Sequence, residues 1–330
     1  MVTEEQIREL CENVPVPGVK RSIAELNLVK EVAIDGEKVT VTVASAALSE
    51  GTKEWITAKL QQGAEKLSGV DGLEVAFVDA KPAEVNEIGK IIAVMSGKGG
   101  VGKSLVAGLT AIALRRRGFT VGIMDADITG PSIPKMFGIG EKPGGSETGI
   151  LPVTTRSGIS VMSINLLLSA EDDAVIWRGP LIANTIKQFG EDVLWGKLDY
   201  LIIDLPPGTA DAPLTVMQSF DISGVIIVYT PQDLVDMIVK KAVKMALKME
   251  KKVLGVVENM SYLYVPEIDK KIEIFGRSRG DEMAKAAGAP LLGQIPIDPE
   301  MARLCDAGDI ERYDGDIIKS LGESLTQAAG

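Results

Sequence analysis

The spacing of apolar positions changes character near residue 90. Before it, Ile7 and Leu10 fall at helical spacing within 4–13. Two alternating runs, 28–34 and 38–44, read as strands joined at Asp35-Gly36, a pair suited to the tight turn of a hairpin. A second helix is expected over 52–67, carrying Trp55, Ile56, Ala58 and Leu60, and a strand over 73–78. Ala80-Lys81-Pro82-Ala83-Glu84 has the polar, proline-containing composition of a linker. A small α+β domain is therefore expected at 1–79, followed by a linker at 80–89.

From Lys90 onward, short apolar runs alternate with longer amphipathic ones. Strands are expected at 91–95, 121–124, 159–164, 200–203, 224–229, 253–257 and 291–294, and helices at 103–117, 181–192, 234–250 and 277–287. Several runs are apolar at nearly every position, as happens when helices cover both faces of a sheet. The predicted fold class is α/β: a doubly wound, mostly parallel sheet over 90–330, preceded by the small domain.

Composition narrows the chemistry. The 330 residues are 45% hydrophobic and 25% charged, which is ordinary globular usage. No apolar run approaches the ~20 residues of a membrane span. Met1-Val2-Thr3-Glu4-Glu5-Gln6 is acidic and polar where a secretory leader is basic and then apolar, so a cytoplasmic protein without a membrane partner is expected. A net charge of −11 has the wrong sign for gripping phosphodiester backbones, so no nucleic-acid partner is expected. There is no histidine, and the only cysteines are Cys11 and Cys305. Within one chain this excludes Ser-His-Asp and Cys-His catalysis, histidine-ligated zinc and zinc ribbons. Any catalysis must run on carboxylates, lysines, arginines, hydroxyls and backbone amides.

Directly after the first strand of the larger domain stands Gly97-Lys98-Gly99-Gly100-Val101-Gly102-Lys103-Ser104, with a helix beginning at its end. It fits G-x-x-x-x-G-K-[ST] in the required setting of strand, loop and helix. The glycines let successive N–H groups turn inward onto phosphate oxygens, and the helix N-terminus adds partial positive charge. Lys103 is expected to reach the β- and γ-phosphates, and Ser104 to ligate Mg²⁺. Lys98 is a second cation in the loop. It reads equally as a solvated side chain or as one that projects away from the site.

GKGGVGKS resembles the deviant Walker A motif of the MinD, ParA, ArsA and Mrp group of ATPases, whose signature lysine crosses a dimer interface to the partner's nucleotide. Further segments resemble the Mrp (ApbC) subfamily: Asp125-Ala126-Asp127-Ile128-Thr129-Gly130-Pro131-Ser132 its first switch, and Asp204-Leu205-Pro206-Pro207-Gly208-Thr209-Ala210-Asp211 its Walker B and second switch. Trp177-Arg178-Gly179-Pro180 and Glu258-Asn259-Met260-Ser261 are also Mrp-like. The likeness covers 90–330, and 1–79 resembles the small domain that often precedes the ATPase in bacterial Mrp proteins. It implies ATP and Mg as cofactors and a nucleotide-controlled homodimer. Lys98, Lys103 and Asp127 are implied as catalytic residues, Asp127 orienting the attacking water. Asp204 and Asp125 would hold or support Mg²⁺ with Ser104, Gly208 would offer its N–H to the γ-phosphate, and Asn259 would pair with adenine. For Asn259 a strand-end turn is an equal reading. For Arg178, contact with the switch region or a partner subunit stands beside simple solvation.

The resemblance also implies an iron-sulfur cluster carrier with client apoproteins, and at that point the sequence departs from the pattern. The subfamily usually places C-x-x-C after Glu-Asn-Met-Ser-Tyr, where this chain has Tyr262-Leu263-Tyr264-Val265-Pro266-Glu267-Ile268-Asp269-Lys270-Lys271. Its small domain often carries a cysteine after the second strand, where this one reads Val43-Ala44-Ser45-Ala46-Ala47. Clusters are held chiefly by cysteine thiolates. Three functions are therefore weighed: a cluster-handling ATPase, a cluster-free ATPase switch or scaffold of the same family, and a MinD- or ParA-like positioning ATPase. The acidic-to-neutral tail around 314–325 disfavours the third.

Overall fold

The computed structural model describes residues 2–127, 130, 132–167, 179–209, 211–232, 235–265 and 268–330. They form two compact units: Met1–Gly89 with Lys142–Thr154 and Gln188–Leu198, and Lys90–Glu141 with Thr155–Lys187 and Asp199–Gly330.

In the first unit, helix Glu4–Glu12 is closed by a capping box, in which the Thr3 hydroxyl accepts from Gln6 N and Gln6 accepts from Thr3 N. Strands Val29–Asp35 and Lys38–Ala44 pair antiparallel, with Asp35 opposite Lys38 and Gly36 at φ +64° in the turn. Gly72–Val78 joins Lys38–Ala44 in parallel. Helix Glu50–Ala64 contributes Ile56 and Leu60 to a core with Ile7, Val41 and Val43. The polar stretch expected to be a linker holds a short helix, Pro82–Val85, and the start of a strand, Glu87–Ser96. Two distant segments cluster with this unit because buried polar groups find their partners there. Arg21 is buried and donates to the carbonyls of Trp195 (2.7 Å), Lys197 (2.6 Å) and Glu25 (2.8 Å). The Asn86 amide exchanges hydrogen bonds with Val193 O and Gly196 N. A buried guanidinium and a buried amide each need such acceptors, which fixes 188–198 beside them.

The second unit is the expected α/β layer structure. Its strands are β1 (Glu87–Ser96), β2 (Val121–Asp125), β3 (Ser160–Ser163), β4 (Lys197–Asp204), β5 (Gly224–Tyr229), β6 (Val253–Glu258) and β7 (Leu291–Gln294), in the sheet order β7-β6-β5-β1-β4-β2-β3. The pairs β7–β6, β6–β5, β5–β1, β4–β2 and β2–β3 run in parallel. The chain leaves β1 for β2, and β4 is later inserted between them. The order therefore changes direction beside β1, and in such sheets ligands bind at the carboxyl ends of the strands at that point.

Helix α1 (Lys103–Arg116) is apolar on nearly every side because it is buried nearly all round, with Val106, Leu109, Ile112 and Leu114 in the core. Helices α2 (Asp211–Ser219), α3 (Val235–Lys248), α4 (Gly280–Ala287), α5 (Pro299–Asp306) and α6 (Asp316–Ala329) complete the unit, and Gly179–Glu191 is helical as expected. Periodicity had not singled out α2, α5 or α6. In α6, Ile317, Ile318, Leu321 and Leu325 are buried, so the apolar tail positions pack inward. Ile128, Thr129, Pro131, Trp177, Arg178 and Ala210, from the Mrp-like segments, lie outside the described residues.

Candidate functional site

The loop between β1 and α1 wraps as the glycines require. Gly100 and Gly102 sit at φ +77° and +79°, in the left-handed region that side chains with a Cβ disfavour. Gly97 fits because a Cβ there would stand 2.3 Å from Ile238 Cγ2 and 2.7 Å from Ile238 O. The Ser96 hydroxyl donates to Lys98 O at 2.8 Å and pins the loop's start. Residues 96 and 98–105, with Asp127, Ser132, Met136 and Pro207, enclose a cavity of about 320 Å³.

Strand register sets two buried carboxylates side by side behind this cavity's Lys103. Asp125 ends β2 and is paired with Asp204 at the end of β4. Both are fully buried. Lys103 Nζ donates to Asp204 Oδ1 at 2.5 Å, lies 3.6 Å from Asp127 Oδ2 and reaches the Ser104 hydroxyl at 3.5 Å. Asp125 Oδ1 accepts from Asp127 N, while its Oδ2 accepts from Ser163 Oγ and Ile133 N. Burial, reinforced by the charge of Asp204 and opposed by Lys103, pushes Asp125 up to about 8. Burial also pushes Asp204 upward, against the Lys103 ammonium beside it.

Asp204 Oδ2 is buried with no donor in hydrogen-bond geometry, and the Ser104 hydroxyl is near enough to Asp204 to favour its charged form. An acceptor-only oxygen left so costs free energy unless a cation or donor meets it. Together with the Ser104 hydroxyl, which lines the cavity and which Lys103 also reaches, it fits the hard oxygen ligands that Mg²⁺ takes. Asp125, with both oxygens engaged by donors, sits behind this pair as a support.

The remaining expected residues are placed as follows. Lys98 Nζ donates to Gln232 Oε1 within its own chain. Gly208, φ +89°, donates its N–H to Ser96 O at 3.1 Å. Asn259 is buried at the end of β6, and its Nδ2 donates to Val101 O at 2.9 Å, so its amide braces the phosphate loop from beneath. A Cβ on Gly102 would stand 2.1 Å from that Nδ2. Sequence reasoning missed Gln232, Ser163 and Ser96. Each lies at or just beyond the carboxyl end of a strand, and that position was the available signal.

A glycine-wrapped helix N-terminus opening on a lysine and a serine, flanked by buried strand-end carboxylates, defines a P-loop nucleotide-binding protein. The chain belongs to the ParA family described as NUBPL iron-transfer P-loop NTPase, which matches residues 87–327. Among its relatives, the iron-sulfur cluster carrier protein of Clostridium perfringens is 49% identical over 234 residues, covering 68% of this chain and 82% of that one. The protein of the same description from Aquifex aeolicus is 36% identical over 99% of this chain and 97% of its own length. A nucleotide-binding protein from Archaeoglobus fulgidus, solved in complex with ADP, is 47% identical with TM-score 0.64, covering 70% of this chain and 90% of that chain. MinD from Pyrococcus furiosus shares the fold at 21% identity and TM-score 0.51, covering 72% of this chain and 99% of that one.

Cys11 is buried in the core of the first unit, and Cys305 is half-buried against the core of the second. Among the described residues no group of three or more histidine, cysteine, aspartate or glutamate side chains converges as a metal site, and no helix is long and apolar enough to cross a membrane. The stretch after Ser261 forms an antiparallel hairpin, Leu263–Val265 with Lys270–Ile272, with Tyr264 and Ile268 exposed.

Proposed function

We propose that this chain is a Mg²⁺-dependent ATPase that works as a nucleotide-controlled homodimer. The observation that carries the reading is the buried Lys103–Asp204 pair at the mouth of the phosphate loop, with no donor in hydrogen-bond geometry at Asp204 Oδ2. In the reaction a water attacks the γ-phosphorus, the bond to the ADP oxygen breaks, and phosphate and a proton leave. Bound Mg²⁺ would supply charge neutralisation at the phosphate oxygens. Lys103 parts from Asp204 and follows the charge that grows on the β- and γ-oxygens. Asp204 and Ser104 are then free to hold the metal, and Asp127, on the cavity wall, holds the attacking water in line. Gly208 exchanges its bond to Ser96 O for the γ-phosphate, and Lys98 leaves Gln232 to reach the nucleotide of the second subunit. Asn259 keeps the loop in shape, and its position at a strand end also suits the proposed adenine contact. Turnover measured with and without Mg²⁺ tests the reading. We expect hydrolysis that is lost with a chelator and in Asp204→Asn. Metal-independent turnover unaffected by that substitution would overturn it.

Relatives described as iron-sulfur cluster carrier proteins support a role in cluster handling, and client apoproteins belong to that proposal. Only Cys11 and Cys305 offer thiolates, and with Cys11 buried in a core a dimer presents just its two Cys305 thiols, short of the four that a cluster held by protein thiolates takes. We therefore propose an ATPase switch that acts in that process without a resident cluster on its own thiolates. Purified protein is expected to be colourless, and to retain no stoichiometric iron and sulfide after anaerobic reconstitution and desalting. A brown protein with about four irons per dimer, lost in Cys305→Ser, would restore the cluster-holding carrier.

A further inference from the structure

Helix α3 carries a run of charge opposite to that of the chain as a whole. Residues 237–252 hold six lysines against one glutamate, Glu250, in a chain of net charge −11. The exposed positions of the helix are Met237, Lys240, Lys241, Lys244, Leu247 and Lys248. At about 100° per residue these fall within an arc of about 120°, so they form one face. The opposite face, Val239, Ala242, Val243 and Ala246, is already buried. Along the axis, Met237 and Leu247 stand about 15 Å apart, with lysines between and beside them. Both are more than half exposed, at 51% and 63%.

Three observations separate this face from an ordinary solvated one. Lys240, Lys244 and Lys248 follow each other at i, i+4, a like-charge spacing that weakens a helix. Among the described residues Lys241, Lys244 and Lys248 have no carboxylate within ion-pair distance. The same helix touches the nucleotide loop, since Ile238 packs against Gly97. A helix that sets Lys241, Lys244 and Lys248 beside two large apolar side chains in water on one face, while its neighbouring Ile238 meets the phosphate loop, is built for a contact outside the unit.

We propose that this face of α3 docks an acidic segment of a partner protein, one that presents carboxylates around two apolar anchors at matching separation. Charge complementarity names the partner. A membrane is disfavoured because the helix has already buried its apolar side and has no second one to insert. Nucleic acid is disfavoured because the face has no arginine and the chain's overall charge repels a polyanion at long range.

The test uses the full chain and a fluorescein-labelled, glutamate-rich helical peptide with two leucines about ten residues apart. Its binding is followed by anisotropy beside that of a short DNA duplex and of vesicles containing phosphatidylserine. Wild type is expected to bind the peptide in a salt-sensitive manner. Lys241→Glu/Lys244→Glu/Lys248→Glu is expected to bind it about tenfold more weakly or worse, with circular dichroism and basal turnover unchanged. A lysine-rich peptide with the same leucine spacing should prefer the reversed-charge variant, which a merely misfolded protein would not do. Equal peptide affinity in both proteins, no binding to wild type, or tighter binding of the DNA or the vesicles than of the peptide would each overturn the proposal.

Discussion

Lys103 Nζ lies 2.5 Å from Asp204 Oδ1, and both side chains are buried. Removing one partner of such a pair strands the other charge in a low-dielectric setting, a larger effect than the pair's own net contribution. Lys103→Ala is therefore expected to abolish turnover and also to lower stability by about 3 kcal/mol in urea titrations without Mg²⁺ or nucleotide. Lys103→Ala/Asp204→Asn should regain much of that stability and none of the activity. Wild-type-like turnover in the single variant would remove Lys103 from the active site, and unchanged stability would mean that the pair is not buried in solution.

Asp125 gives the fold a pH dependence of definite sign. Its folded value of about 8 lies above the ordinary 3.8, because of burial and the Asp204 charge. Between these values the unfolded chain has released a proton that the folded chain keeps. Stability from this group is thus fully present below about pH 4 and is lost as pH rises to about 8, by up to about 1.4 kcal/mol per pH unit. Asp125→Asn cannot ionise, so relative to wild type it should gain stability between pH 5 and pH 8. Parallel denaturation curves at the two pH values would show instead that Asp125 ionises normally.

Gly102 combines a left-handed φ of +79° with contact against Asn259, so Gly102→Ala meets both backbone strain and a side-chain clash. Titration with a fluorescent ATP analogue should show affinity reduced by more than about tenfold. Asn259→Ala, which removes the hydrogen bond to Val101 O, should weaken binding less. Combining the two should relieve the clash but not the strain. Wild-type affinity in Gly102→Ala would show that the loop tolerates another path.

Lys98 and Asp127 test the proposed dimer. If Lys98 acts across a two-fold interface, mixing Lys98→Ala with Asp127→Asn chains creates one hybrid site with both residues intact. Turnover should rise above the sum of the separate variants. Asp127→Asn alone should retain ATP binding and slow hydrolysis, because the carboxylate orients water more than it holds the ground state. A mixture that never exceeds the sum would assign Lys98 to its own chain, where it contacts Gln232.

The two thiols should differ sharply in reactivity. Burial raises Cys11 to about 11, and it raises Cys305 as well, though that side chain is only half-buried. At pH 8 a disulfide reagent should modify Cys305 slowly and Cys11 only on unfolding, because the thiolate is the reacting form. Rapid labelling of Cys11 in folded protein would contradict its place in the core.

By itself the sequence determined the features carried by neighbours along the chain. The phosphate loop is eight consecutive residues whose glycines, lysine and serine declare their geometry locally, and the hairpin at Asp35 to Lys38 is equally local. The apolar strand runs were legible because burial on both faces leaves few polar positions. The resemblance of the flanking segments to Mrp proteins then pointed to Asp125, Asp204 and Asn259. What periodicity does not encode is which strands become neighbours and which side chains meet across them. Only the tertiary structure set β4 between β1 and β2, which brings Asp204 to Lys103 from 101 residues away. It likewise set Asn259 under Val101 and Gln232 beside Lys98, 158 and 134 residues apart. The same holds for the first unit, where Arg21 gathers Trp195 and Lys197 because a buried guanidinium must find acceptors wherever the fold supplies them. Local propensity chooses the elements, but the pairing of buried charges and hydrogen bonds depends on strand order, and that is decided only when the whole chain packs.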